Sequence, residues 1–196
     1  MARNRKRNDY PVKKRKSPMR VIAGWILFIG VFLVLIFALV PLVGATMKVT
    51  DGAMGPSLGI GDTVAVNHIS YLLLRPKRGD VVQFVVAEEE QGTPAQTSTV
   101  YLRRVIGLPG ETVQIVNGKV YINGSETPLD DSFIKETMKG SYGPYVVPED
   151  SYFMLGDNRN NSWDSRKWKN TFVNRDKILG KAGLRYWPLS NIGFLH

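Results

Sequence analysis

TVQIVNGKVYING occupies residues 112–124. Apolar and polar residues alternate on both sides of Asn117-Gly118, which reads as two short strands joined by a two-residue turn. Five further runs share this character: DTVAVN (62–67), DVVQFVV (80–86), VYLRRVIG (100–107), YFMLGD (152–157) and ILGKAGLRYW (178–187). Each is short, β-branched and bounded by Gly, Pro, Asp or Asn, and no helical period of comparable strength competes with them after residue 47. The expectation for this part of the chain is a mainly β domain built from hairpins. EEEQGTPAQTST (88–99) reads as a polar hairpin tip, and residues 125–150, with Pro128, Pro144 and Pro148, as an ordered excursion or cap outside the core. Asn123-Gly124-Ser125 fits a glycosylation acceptor pattern but is read as a turn, and His68 as a surface residue.

Before the β runs lies a segment of a different kind. Residues 21–47, VIAGWILFIGVFLVLIFALVPLVGATM, contain no Asp, Glu, Lys, Arg or His. That is longer than the apolar part of a secretory signal peptide and sufficient for a bilayer core of roughly 30 Å at about 1.5 Å per helical residue. The expected organisation is a basic cytoplasmic tail over 1–20, one transmembrane helix over 21–47, and an extracytoplasmic domain over 48–196.

Charge supports that order. Of the 26 Lys and Arg, nine fall within residues 1–20 beside a single acid, so +8 of the net +9 belongs to the tail and the remainder is almost neutral. A basic cluster directly before an apolar helix fits a cytoplasmic tail touching anionic lipid, whereas nucleic-acid binding needs a basic face on the folded domain itself. The chain has no cysteine and two histidines. Disulfides, a thiol nucleophile and a histidine or thiolate metal site are therefore not expected, and neither is any cofactor.

Three segments carry chemistry: VTDGAMGPSLGIGD (49–62), VYLRRVIGLPGE (100–111) and LGDNRNNSWDSR (155–166). In this order, behind an apolar anchor, they resemble the bacterial type I signal peptidase family, and the resemblance runs from the apolar helix to about Pro188. It implies a β-rich peptidase domain, single-pass in the cell membrane, that removes signal peptides from exported preproteins. The implied partners are signal peptides, the lipid bilayer and the secretion machinery.

In that family a serine attacks the peptide carbonyl and a lysine removes its proton, the lysine working as a base because burial favours the neutral amine. Matched residue by residue, Ala53 stands at the serine position and Arg103 at the lysine position. Alanine has no oxygen to add to a carbonyl, and a guanidinium stays protonated in a protein. Ser162 matches the serine that supports the lysine. Asp51 lies where some members place a serine beside the oxyanion, and a carboxylate there opposes developing negative charge unless it is turned away. Arg103, if buried, is expected to pair with Asp51 or another acid.

Asp157, Asn158, Arg159, Asp164 and Arg166 resemble the network that braces the site. Met47, Val49, Met54 and Leu102 match residues around shallow apolar pockets for small substrate side chains, and equally suit a plain core. KWKNTFV (167–173) departs from the family pattern in lacking a glycine. Whether the chain is an enzyme stays open. Two readings follow: a signal peptidase silenced at two positions that binds signal peptides without cutting, or a natural non-proteolytic assembly factor or chaperone, as in surface pilus assembly.

Overall fold

A computed structural model describes residues 18–87 and 98–195; the tail and most of the 88–99 segment lie outside the described residues. The chain divides into two units, residues 1–40 and 41–196. The first unit is described from helix α1, Pro18–Val43, which runs on just past its end. Proline opens the helix, at a position where its missing N–H has no intrahelical partner to lose. The side chains described along it, Met19 and residues 22–35, are exposed. Among the described residues no helix is long and apolar enough to cross a membrane.

The second unit is mainly β. Its strands are β1 (Ala45–Lys48), β2 (Thr63–Asn67), β3 (Val81–Ala87), β4 (Ser98–Gly107), β5 (Thr112–Val116), β6 (Lys119–Ile122), β7 (Tyr142–Val146), β8 (Ser151–Leu155), β9 (Val173–Asn174), β10 (Ile178–Trp187) and β11 (Gly193–Phe194), with one four-residue helix, α2 (Ser70–Leu73). The larger sheet runs β1-β2-β10-β3-β4-β8-β9 with β11 beside β10, and the smaller runs β6-β5-β7. Every pairing is antiparallel. The hairpin at 112–122 forms as its sequence implies: Val116 pairs with Lys119, and Asn117 and Gly118 take φ of 49° and 81°.

Among the described residues, three apolar clusters hold this unit together. Val82, Phe84, Val105, Met154 and Trp168 centre one; Val49, Met54, Leu58, Val64, Val66 and Leu102 another; Ile106, Ile115, Met138, Val147 and Phe153 the third. The third corrects the expectation for 125–150. Its residues supply β7 and bury Met138 and Val147, so the segment closes the smaller sheet; its prolines hid this because Pro144 lies on an edge strand, where a missing N–H breaks no ladder.

His68 is also corrected. It is half-buried, and its Nε2 meets Gln83 Oε1 at 3.0 Å, while Gln83 Nε2 donates to Met47 Sδ at 3.3 Å. Beside it, α2 places the Tyr71 hydroxyl where it donates to Asp80 Oδ2 at 2.8 Å; the Lys77 amide donates to the same oxygen at 2.9 Å and Lys181 Nζ to Oδ1 at 2.6 Å. Burial, then the Asp80 contact, pushes the Tyr71 phenol up.

Candidate active site

Strand β4 explains why two consecutive arginines are buried without meeting. Successive side chains leave a strand on opposite faces, so Arg103 and Arg104, at 1% and 2% exposure, enter different surroundings. Arg104 forms a two-point pair with Asp157 (Nε to Oδ1 2.8 Å, Nη2 to Oδ2 2.6 Å) and donates from Nη1 to the Gly79 carbonyl at 2.7 Å. Its guanidinium also lies 4.3 Å from the Phe133 ring centre.

Arg103 faces the loop that carries Ala53. Its Nε and Nη2 donate to the Trp163 carbonyl at 3.1 and 3.0 Å, and Nη1 to the Leu102 carbonyl at 2.6 Å. Nη2 also donates to Asp51 Oδ2 at 3.0 Å, which meets the expectation of an acid partner. The other Asp51 oxygen accepts from the Ala53 backbone N–H at 3.2 Å. One carboxylate therefore joins residues 53 and 103.

The loop at 52–58 is fixed largely by main-chain atoms. Gly55 N–H donates to the Gly52 carbonyl and Leu58 N–H to the Met54 carbonyl. From the 155–166 segment, Asn158 N–H donates to the Ala53 carbonyl at 2.9 Å and Asn158 Nδ2 to the Gly52 carbonyl at 3.1 Å. This contact is close enough to require glycine at 156: a Cβ there would lie 2.2 Å from Ser162 Oγ and 2.5 Å from the Ala53 oxygen. Ser162 Oγ and the Ala53 carbonyl thus flank one point.

Ser162 is buried at 3% exposure, and its hydroxyl finds no hydrogen-bond partner among the described residues. Such a hydroxyl loses water without compensation. Arg103, the neighbouring cation in the sequence reading, places its donors on the Trp163 carbonyl and Asp51 instead.

Of the residues matched to a bracing network, Arg159, Asp164 and Arg166 meet one another, whereas Asp157 pairs with Arg104 and Asn158 holds the 52–53 backbone. Asp164 meets Arg166 through both oxygens (2.8 and 2.7 Å) and accepts from Gly156 N–H at 3.1 Å. Arg166 Nη2 donates to the Arg159 carbonyl at 2.7 Å, and Arg159 pairs with Asp131 at 2.5 and 3.0 Å. Asp131 was not among the residues singled out from sequence, because it sits in the 125–150 segment with no motif around it. Trp163 was missed for another reason: it contributes a carbonyl, which any residue carries.

Val49, Met54 and Leu102 are buried together in one apolar cluster, with Met47 half-buried against it. A pocket of about 210 Å³ opens beside the loop, lined by Gly55, Pro56, Lys135, Glu136, Asp157, Asn158 and Arg159. Among the described residues no group of three metal-ligating side chains comes together.

Residues 22–187 match the family model described as signal peptidase, peptidase S26. The chain is 39% identical over 167 residues to a signal peptidase I of Leptolyngbya laminosa, covering 85% of this chain and 80% of that protein. It is 33% identical over 189 residues to signal peptidase I P of Bacillus subtilis subsp. natto, covering 91% and 96%. Among solved structures it is similar to a signal peptidase I from Enterococcus faecalis V583, at 28% identity, 55% of this chain, 97% of that one and a TM-score of 0.43.

Proposed function

The chain belongs to the signal peptidase, peptidase S26, family, and we propose that it holds signal peptides in the family's groove without cleaving them. The observation that carries this reading is the state of the site. Where a hydroxyl and an amine would be needed there are a methyl group and a buried guanidinium, and that guanidinium is engaged with Asp51 and two carbonyls. Ala53 offers no atom to add to a carbonyl carbon, and Arg103 no lone pair to take up a proton.

Ser162 fits the same reading. Its unpaired, buried hydroxyl is what remains when the amine it would support is replaced by a longer group that reaches past it. Asp157, Asn158, Arg159, Asp164 and Arg166 act as the frame that keeps the loop against β4. A bound peptide lies extended beside β4, main-chain hydrogen bonds giving affinity, while Met47, Val49, Met54 and Leu102 shape the apolar sites that receive alternate small side chains.

The protein is single-pass, with residues 1–20 cytoplasmic, the uncharged helix from residue 21 to Val43 in the bilayer, and the β unit outside from Ala45 onward, since Ala45–Lys48 pair with β2. The uncharged run and the basic cluster before it support this topology. The test is cleavage of a preprotein with a small-x-small site, in detergent, by this chain and by Ala53→Ser/Arg103→Lys. Cutting by the restored chain alone is expected. Failure of both makes the assembly-factor reading the better one, and cutting by the unaltered chain overturns the assignment of Ala53.

A further inference from the structure

The carboxylate that joins Ala53 to Arg103 occupies a site whose donors do not depend on it. Arg103 is 1% exposed and is positioned by the Trp163 and Leu102 carbonyls. The Ala53 amide is positioned by its own peptide group, whose neighbouring carbonyl accepts from Asn158 N–H. Asp51, in contrast, has a side chain 43% exposed. Two buried donors thus converge on one anion, and the anion is the exposed part, with solvent on one side of it.

Such a pair of donors suits a carboxylate better than a peptide carbonyl. An intact chain crossing the site offers a neutral oxygen, which can accept from the Ala53 N–H but leaves Arg103 without a counter-charge if Asp51 has moved aside. A chain that ends there offers two oxygens and a full negative charge, which meets the amide and the guanidinium together, as Asp51 does now. A guanidinium is also the better group for this task than an ammonium, because its N–H groups lie in a fixed plane.

We propose that Ala53 N–H and Arg103 Nη2 form a receptor for the C-terminal carboxylate of a peptide ending in a small residue, with Asp51 as the internal stand-in that the peptide displaces. The proposal rests on the reading that the groove takes signal peptides, and narrows the ligand to a released fragment rather than an uncut preprotein. No covalent step is involved.

The test uses the full chain in detergent and a fluorescent synthetic peptide with an apolar stretch ending Ala-Leu-Ala, prepared as the free acid, as the C-terminal amide, and with a polar extension past the last alanine. The free acid is expected to bind at least about tenfold more tightly than the other two, the usual weight of one charge-assisted contact. Asp51→Asn, which removes the internal anion, is expected to tighten the acid further and leave the amide unchanged. Equal binding of acid, amide and extended peptide overturns the receptor but leaves the groove reading standing. Absence of binding by all three overturns both. Weaker acid binding in folded Asp51→Asn shows that Asp51 is no competitor and also overturns the proposal. Should that variant not fold, the comparison of the three peptides on the unaltered chain decides alone.

Discussion

Asp51 and Arg103 meet at 3.0 Å from opposite environments, the arginine side chain 1% exposed and the aspartate 43%. The pair is therefore anchored on its cationic side and wet on its anionic side. Removing the acid with Asp51→Ala leaves a buried cation held by carbonyls and the Tyr101 ring, without its acid, at an expected cost of about 1–3 kcal/mol, reduced by solvent access from the value for a fully buried pair. Urea midpoints of Asp51→Ala, Arg103→Met and the double variant form a cycle whose coupling is expected on the order of 1 kcal/mol. Strict additivity would mean the contact contributes nothing.

Arg104 and Asp157 provide the fully buried counterpart, with side chains 3% and 0% exposed. Asp157→Asn is expected to destabilise by about 3–5 kcal/mol, because it takes the counter-charge from a desolvated guanidinium. Arg75 and Asp150, at 3.3 Å but 72% and 62% exposed, make the control: Arg75→Ala should cost no more than about 1 kcal/mol. Thermal melts of the two variants should differ by several degrees, and similar melts would contradict the burial argument.

Crowding at Gly156 gives an opposed pair of expectations. Gly156→Ala forces a methyl against Ser162 Oγ and the Ala53 oxygen, with a loss of about 1–3 kcal/mol or more. Ser162→Ala removes a buried hydroxyl that has no partner among the described residues and should be neutral or stabilising by up to about 1 kcal/mol. Once Arg103→Lys is in place the serine change should become unfavourable, so measuring Ser162→Ala in both backgrounds checks the role assigned to this hydroxyl.

Acid stability is expected to depend on Asp80. Burial alone would push its carboxyl up, but Lys181, the Lys77 amide and the Tyr71 hydroxyl together hold it below the usual carboxylate range. A group lowered in the folded state contributes its full stability above the unfolded value, about 4, and loses it as pH falls through the lower folded value. Asp80→Asn should therefore be less stable than the parent at neutral pH, with the difference shrinking below about pH 4. A gap that stays constant into acid would rule out the linkage.

The strand runs were legible because each alternates within a few residues and is closed by a turn former, as in 112–124. Arg103 pairing with Asp51 was legible too, since a buried guanidinium restricts the choice to nearby acids. Asp131 was hidden because its partner Arg159 lies 28 positions away and no periodicity links them. The 125–150 segment was undervalued because its proline content obscures an edge strand, and His68 because its contact with Gln83 arises only when β2 and β3 are brought together by β10 between them. Trp163's part is a carbonyl, which leaves no mark in a sequence.

The hold of Asn158 on the Ala53 carbonyl has an evolutionary consequence. What residue 53 supplies to the fold is mainly its main chain, a carbonyl held by Asn158 and an N–H held by Asp51, in a buried place, so selection for a stable domain asks there only for a small side chain. Selection acting on folding alone therefore preserves the surrounding GDN segment while leaving position 53 free to drift among small residues. In descendants of such a chain, an intact motif around this loop is a record of architecture, and under the proposed function the record of chemistry lies in the side chains at 53 and 103.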